Sequence, residues 1–304
     1  MKNNSKMRIL VLVFAAITLF TAACSDDNAA GNPAPIPNLA QVVAQTPNLS
    51  TLNAALVRAN LTGALATGNL TLFAPDNAAF TAAGITNVNN VPVSTLDSIL
   101  KYHVLGQTVG SSAVPVSDTV KSLLGRNIFA SRNTNGVFVN GIKVTQADIL
   151  ASNGVMHVMN SNVLIPPTKT IAQIASGDTS FSFLVAALVK LNLVNAVSGP
   201  GKYTVFAPTN AAFRAAGITD INAVPIATLD AVVKYHVLTT NVFASDLVNN
   251  ATATTLQGGT ITIATTPAAG VKITGSAQPF STITAANITA TNGVIHVINR
   301  VMLP

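Results

Sequence analysis

The chain has 304 residues, enough for two ordinary domains with separate cores, and 49% of them are apolar. Charged residues make up only 9%, glutamate is absent and the formal net charge is +6. Three of the cations, Lys2, Lys6 and Arg8, stand in an N-terminal leader; the other 13 Lys/Arg face 10 Asp and are scattered singly with no basic run, so a nucleic-acid partner is not expected.

The chain opens MKNNSKMR, ILVLVFAAITLF, TAAC: a basic segment, 12 apolar residues, then small residues leading to Cys24. A membrane span needs about 20 apolar residues, so residues 1–23 are expected to be a secretory signal peptide and not an anchor. Cys24 is the only cysteine, so no intrachain disulfide can form. The TAAC stretch resembles a bacterial lipoprotein box, with Thr21 standing where that box usually has Leu. The resemblance implies that Cys24 becomes the mature N-terminus and the site of lipid attachment, where several acyl chains hold the protein firmly to a membrane. An ordinary cleaved signal with an incidental cysteine is the alternative.

Residues 24–37 combine adjacent Asp26 and Asp27 with three prolines and small residues, a composition that reads as an extended tether. Ser25-Asp26-Asp27 resembles the acidic signal that sends some Gram-negative lipoproteins to the outer face of the outer membrane. The expected location is a bacterial cell envelope, as an outer membrane lipoprotein; surface display and a periplasm-facing position both stay open.

Beyond the tether the chain repeats itself. TLFAPDNAAF (71–80) returns as TVFAPTNAAF (204–213), LNAALVRANL (52–61) as LVAALVKLNL (184–193), and STLDSILKYHVL (94–105) as ATLDAVVKYHVL (227–238). ILASNGVMHVMNSNVLIP (149–166) returns as ITATNGVIHVINRVMLP (288–304). The offset grows from 132 to 139, which places a small insertion within 275–287. Units this long are domains and not solenoid repeats. The expected boundaries are 38–166 and 167–304, joined at Pro166-Pro167.

Within each unit Leu52, Ala55, Leu56 and Ala59 mark an amphipathic helix with Arg58 outside. Pro75 and Pro208 end short strands, and Asp76 and Thr209 stand where a helix N-cap belongs. Asp97 and Asp230 are also placed at helix starts. VFVNGIKV (137–144) alternates around Asn140-Gly141, a two-residue hairpin turn, whereas the second unit offers the poorer Thr274-Gly275. GVMHVMNSNVLI and GVIHVINRVML alternate likewise and close each unit. Helices early and strands late give an α+β class with a largely antiparallel sheet.

The FAPxNAAF phrase, the helix-ending Tyr-His and the closing NGVxHV segment together resemble the fasciclin-type domain, twice, over residues 38–304. The resemblance implies two tandem wedge-shaped β-sandwiches, each with helices along one edge. It implies secreted or membrane-anchored proteins that mediate cell–cell or cell–matrix contact. In animal members the Tyr-His segment is implicated in integrin binding, which carries over by position to Tyr102, His103, Tyr235 and His236 as a candidate adhesion motif. The sequence has no Arg-Gly-Asp, and no C-terminal anchor or second activity is expected after the closing strand.

All four histidines, His103, His157, His236 and His296, fall in repeated segments. His103 follows Leu96, Ile99 and Leu100 at seven, four and three residues, on an apolar helix face, so burial with a hydrogen bond is favoured over a metal site. Tyr102 and Tyr235 have a structural reading, a ring packed at the helix end, beside the ligand-contact one. No metalloprotease, nucleophile-elbow or phosphate-loop signature occurs, so no enzyme activity, catalytic residue, metal or cofactor is expected. Asp148 aligns with Asn287, so a carboxylate role there would be lost in the second unit. The expected function is a lipid-anchored adhesion or protein-interaction module contacting surface proteins or matrix polymers. A polysaccharide- or small-ligand-binding envelope lipoprotein, with its cleft between the domains, is the alternative.

Overall fold

The computed structural model describes residues 35–266, 270–275 and 280–304. The leader, Cys24 and the tether up to Ala34 lie outside the described residues, as does the 276–279 stretch of the expected insertion. The tether's last residue already belongs to the fold, because the Ser152 amide donates to the Pro37 carbonyl at 3.0 Å.

The first repeat runs α1 (Leu39–Gln45), α2 (Ser50–Arg58), β1 (Leu70–Pro75), α3 (Asn77–Ala82), α4 (Val93–Tyr102) and β2 (Val104–Leu105). Five more strands follow: β3 (Ser117–Lys121), β4 (Asn127–Asn133), β5 (Gly136–Val139), β6 (Ile142–Ala151) and β7 (Gly154–Met159). The second repeat repeats the order with α5 (Ile171–Ser176), α6 (Ser182–Lys190), β8 (Tyr203–Pro208), α7 (Asn210–Ala215), α8 (Ile226–Tyr235) and β9 (Val237–Leu238). It ends with β10 (Thr252–Thr254), β11 (Thr260–Thr266), β12 (Gly270–Thr274), β13 (Ser281–Ala290) and β14 (Gly293–Ile298). The class is α+β, as expected, with one seven-stranded sheet per repeat: β2-β1-β7-β6-β5-β4-β3, and β10-β11-β12-β13-β14-β8-β9.

Each sheet curls toward closure. Leu105 bridges Ser122, just past β3, so the two edge strands of the first sheet meet. The Leu123 amide donates to the Val104 carbonyl at 2.7 Å, and Leu256 repeats the bond to Val237 at 2.7 Å. Two register shifts in β6 against β7, matched in β13 against β14, supply the bend. Meeting edges leave few unpaired backbone groups for another chain to join.

One neighbour pair in each sheet is parallel: β1 with β7, and β8 with β14. The closing segment alternates in sequence, yet β7 is buried along nearly its whole length. Met156 and Val158 face a core under the helices, whereas Met159 joins Phe73, Tyr102, Ile128 and Val139 inside the curl. A strand covered on both faces, as parallel-paired strands usually are, has no polar side to alternate with.

The strand–cap–helix corner forms as expected. Asp76 accepts from the Ala79 amide at 2.9 Å and Thr209 from the Ala212 amide at 3.3 Å. Either oxygen satisfies a first-turn N–H, which is why the two repeats tolerate different residues there. Asp97 and Asp230 are corrected: they sit mid-helix, and each pairs with the lysine one turn on, Lys101 and Lys234, at 2.8 Å. Arg58 is also corrected. It is half-buried and donates to the Val91 carbonyl at 3.2 Å, while Lys190 in the second repeat reaches three carbonyls, those of Ile221, Asn222 and Val224. A long basic side chain at this helix end holds the turn that follows α3 or α7.

The closing Asn-Gly-Val phrase has a geometric cause. Asn153 accepts from the Leu39 amide at 2.8 Å and donates to the Leu65 carbonyl at 2.9 Å, tying the start of α1 to the β6–β7 turn. Asn292 does the same for α5 through Ile171 and Val197. At Gly154, φ +150°, a Cβ would run into the Leu70 carbonyl, so the parallel approach of β1 requires glycine.

Candidate functional site

The Tyr-His segment closes the helix before β2 and turns both side chains inward. Tyr102 and His103 are 1% and 0% exposed; Tyr235 and His236 are 1% and 2%. This corrects their assignment as adhesion contacts: a partner on the surface has no access to these side chains. The His103 Nδ1–H donates to the Ile99 carbonyl at 2.7 Å, and its Nε2 accepts from the Leu164 amide at 2.9 Å. His236 does the same with Val232 and Met302. Burial therefore pushes both imidazoles down to about 4, well below the ordinary histidine value. Each histidine pins the segment after the closing strand to the end of α4 or α8.

His157 and His296 are equally enclosed. The His157 Nε2–H donates to the Val109 carbonyl at 2.9 Å, its Nδ1 accepts from the Asp148 amide at 3.2 Å, and its ring stacks on Phe73. His296 bonds Val242 and Asn287 and stacks on Phe206, and burial lowers its pKa. Ser111 lies beside the His157 region, but its hydroxyl donates to the Asp148 carboxylate and not to an imidazole. That arrangement holds a loop and activates no nucleophile. Among the described residues no three His, Cys, Asp or Glu converge as metal ligands would.

Tyr102 is wired to the contact between the repeats. Its hydroxyl donates to the Asn127 carbonyl at 2.8 Å and accepts from Asn140 Nδ2 at 3.0 Å. Asn140 and Gly141, φ 48° and 75°, form the expected tight turn between β5 and β6. Asn140 Oδ1 accepts from the Phe129 amide at 2.8 Å, and the Phe129 ring stacks on Phe243 of the second repeat, centroids 4.9 Å apart. Phe129, Phe243 and Val294 form a small core shared by both repeats. Around it, Ser131 donates to Asp246 at 2.7 Å, Asn133 to the Ser245 carbonyl at 2.8 Å, and Lys202 pairs with Asp118 at 3.5 Å. The stretch Ile36–Pro304 accordingly forms one compact unit.

Two clefts flank this seam. One, of about 420 Å³, has Tyr102, Phe129 and Phe243 at its floor and Lys121, Arg126, Lys202, Asn241 and Thr289 among its walls. The other, of about 540 Å³, is lined by uncharged residues that include Asn140, Asn162, Asn287 and Ile165. Both volumes lie in the range of small-ligand sites.

Sequence reasoning passed over Phe129, Phe243 and the three cations. The signal was present as disagreement between the repeats. At the shared offset of 133, Phe129 aligns with Thr262, Phe243 with Gly110, Lys121 with Thr254, Arg126 with Gly259 and Lys202 with Asn69. Residues that serve the single seam have no reason to be duplicated.

The fasciclin-domain family model matches residues 47–166 and 179–304. The chain is 28% identical to the transforming growth factor-beta-induced protein ig-h3 of Sus scrofa over 77% of its own length and 33% of that protein's, so it spans about a third of that relative. It is 39% identical to protein sll1483 of Synechocystis over 44% of this chain and 73% of that one. Among solved structures it resembles a FAS1 domain pair from the insect cell adhesion molecule fasciclin I, at 17% identity and a TM-score of 0.43, covering 87% of this chain and 96% of that one. With the family model matching twice across most of its length, the chain belongs to the fasciclin-domain family and carries two copies of the domain.

Proposed function

We propose that this chain is a non-catalytic interaction module of a bacterial envelope, held at the outer membrane through lipid on Cys24 and contacting surface proteins or matrix polymers. The observation that carries the reading is the commitment of the polar interior. The ring nitrogens of all four histidines are engaged, chiefly by backbone groups, and the seam residues join two repeats into one body. Two weak contacts on one body gain avidity when both engage.

The test is a Cys24→Ser strain. Surface shaving with protease and membrane fractionation locate the wild-type protein, and attachment of cells to matrix-coated surfaces reads its function. The variant is expected in the soluble fraction, with cell attachment lost. A variant that stays membrane-bound, with attachment intact, ends the anchored reading.

The seam clefts favour a second reading, an envelope protein that takes up a soluble ligand or polysaccharide. A pocket with three cations and a small-ligand volume suits it better than a flat contact face does.

A further inference from the structure

We propose that the charged cleft between the repeats binds an acidic oligosaccharide, hydroxyl-bearing rings that carry carboxylates, through Lys121, Arg126 and Lys202. The proposal rests on the chain being a binding protein and not a catalyst, and adds the ligand's chemistry and its place.

Charge comes first. Among the described residues the walls hold three cations and no carboxylate. Lys121 and Arg126 make no ion pair among the described residues, and Lys202 has only the solvent-exposed Asp118 at 3.5 Å. The fold itself does not ask for these charges, because the equivalent positions Thr254, Gly259 and Asn69 are neutral and the second sheet forms with the same strand order. Three like charges drawn from both repeats to one cleft are mutually repulsive unless an anion joins them.

The neutral lining narrows the class. Asn241 stands in the cleft wall with its Oδ1 buried and, among the described residues, without a hydrogen-bond partner. A ligand that brings hydroxyls as well as charge suits this neutral polar lining better than a bare ion does. Thr119, Thr289 and Thr291 offer further hydroxyls around it. The volume, about 420 Å³, admits one or two sugar rings. The aromatic floor is closed over, with Tyr102, Phe129 and Phe243 1%, 5% and 3% exposed, so ring stacking is not on offer. Binding through exposed cations is weak per contact and sensitive to salt.

Calorimetric titration of the purified protein with trigalacturonate tests this, with maltotriose and inorganic phosphate as separate probes. Trigalacturonate is expected to bind about fivefold or more weakly at about 300 mM than at about 20 mM NaCl, and both other probes to bind at least about tenfold more weakly than it does. The double variant Lys121→Ala/Arg126→Ala should lose about tenfold in affinity, while Lys143→Ala, outside the cleft, leaves it unchanged. Asp118→Asn frees Lys202 and should tighten binding about twofold. Unfolding midpoints of all variants separate lost binding from lost fold. No trigalacturonate binding, equal binding of maltotriose, equal binding of phosphate alone, or an undiminished double variant each overturns the proposal. Attachment that persists without trigalacturonate binding removes the cleft site and leaves the interaction reading standing; binding without attachment does the reverse.

Discussion

The ring of Phe129 in the first repeat and that of Phe243 in the second stack at 4.9 Å and 29°, and with Val294 they form a core that neither repeat owns alone. Such a pair contributes about 0.5–1.5 kcal/mol beyond its buried area. Phe243→Ala is expected to cost about 3 kcal/mol and to split denaturant unfolding into two transitions, one for each repeat. Phe129→Ala should do the same, and the double variant little more than either. Strictly additive losses would mean that the rings are not in contact in solution.

The tip of the β5–β6 turn presses on the same place. A Cβ at Gly141 would meet the Asn287 side-chain amide at 2.6 Å and the Phe243 ring at 3.1 Å, and φ there is +75°. Gly141→Ala therefore combines backbone strain of about 1–2 kcal/mol with a push against the second repeat. Urea denaturation should report at least that loss. Small-angle scattering should show a longer particle, because the seam opens before either repeat unfolds.

Local chemistry was legible in the sequence wherever one residue type has one geometric use. Pro75 and Asp76 wrote the strand–cap–helix corner, and Asn140-Gly141 wrote the tight turn. The apolar spacing of His103 wrote its burial. Pairing between distant segments was not legible: nothing in β1 or β7 says that they run parallel, because that depends on everything folded between them. The capping boxes of Asn38 with Gln41 and Thr170 with Gln173 were present in the letters but went unread. The seam was hidden for the opposite reason. Reading the chain as a repeat draws the eye to agreement, and Phe129, Phe243 and the cleft cations are places where the copies disagree.

Tyr102 is tied to the seam through side-chain hydrogen bonds. Its hydroxyl holds Asn140, and Asn140 holds the Phe129 amide behind the stacked rings. The second repeat has Thr274 in place of Asn140. Tyr102→Phe should cost about 1–3 kcal/mol, because a buried amide and a carbonyl lose a partner. It should also be non-additive with Phe243→Ala by about 0.5 kcal/mol or more. Tyr235→Phe is expected to lower stability without that coupling. Equal coupling for both tyrosines would break the proposed link to the seam.

The paired histidines set an acid limit on the fold. His103 and His236, held neutral and buried, titrate at about 4 when folded and near the ordinary value of 6.5 when unfolded. Between those values the unfolded chain binds protons that the native chain refuses, so stability is complete above pH 6.5 and falls as the pH drops toward 4. Each histidine accounts for up to about 3 kcal/mol across that window. His296, lowered in the same direction, adds to the slope. The aspartates with lowered pKa, Asp118, Asp148 and Asp178, act below that range, since an acid held ionised loses its contribution only as it protonates beneath 3.8. Urea denaturation at pH 7.5 and 4.5 should therefore show a large loss, and in His103→Gln the difference between the two pH values should shrink even though the variant starts less stable. An unchanged difference would place the acid sensitivity elsewhere and remove His103 from the account.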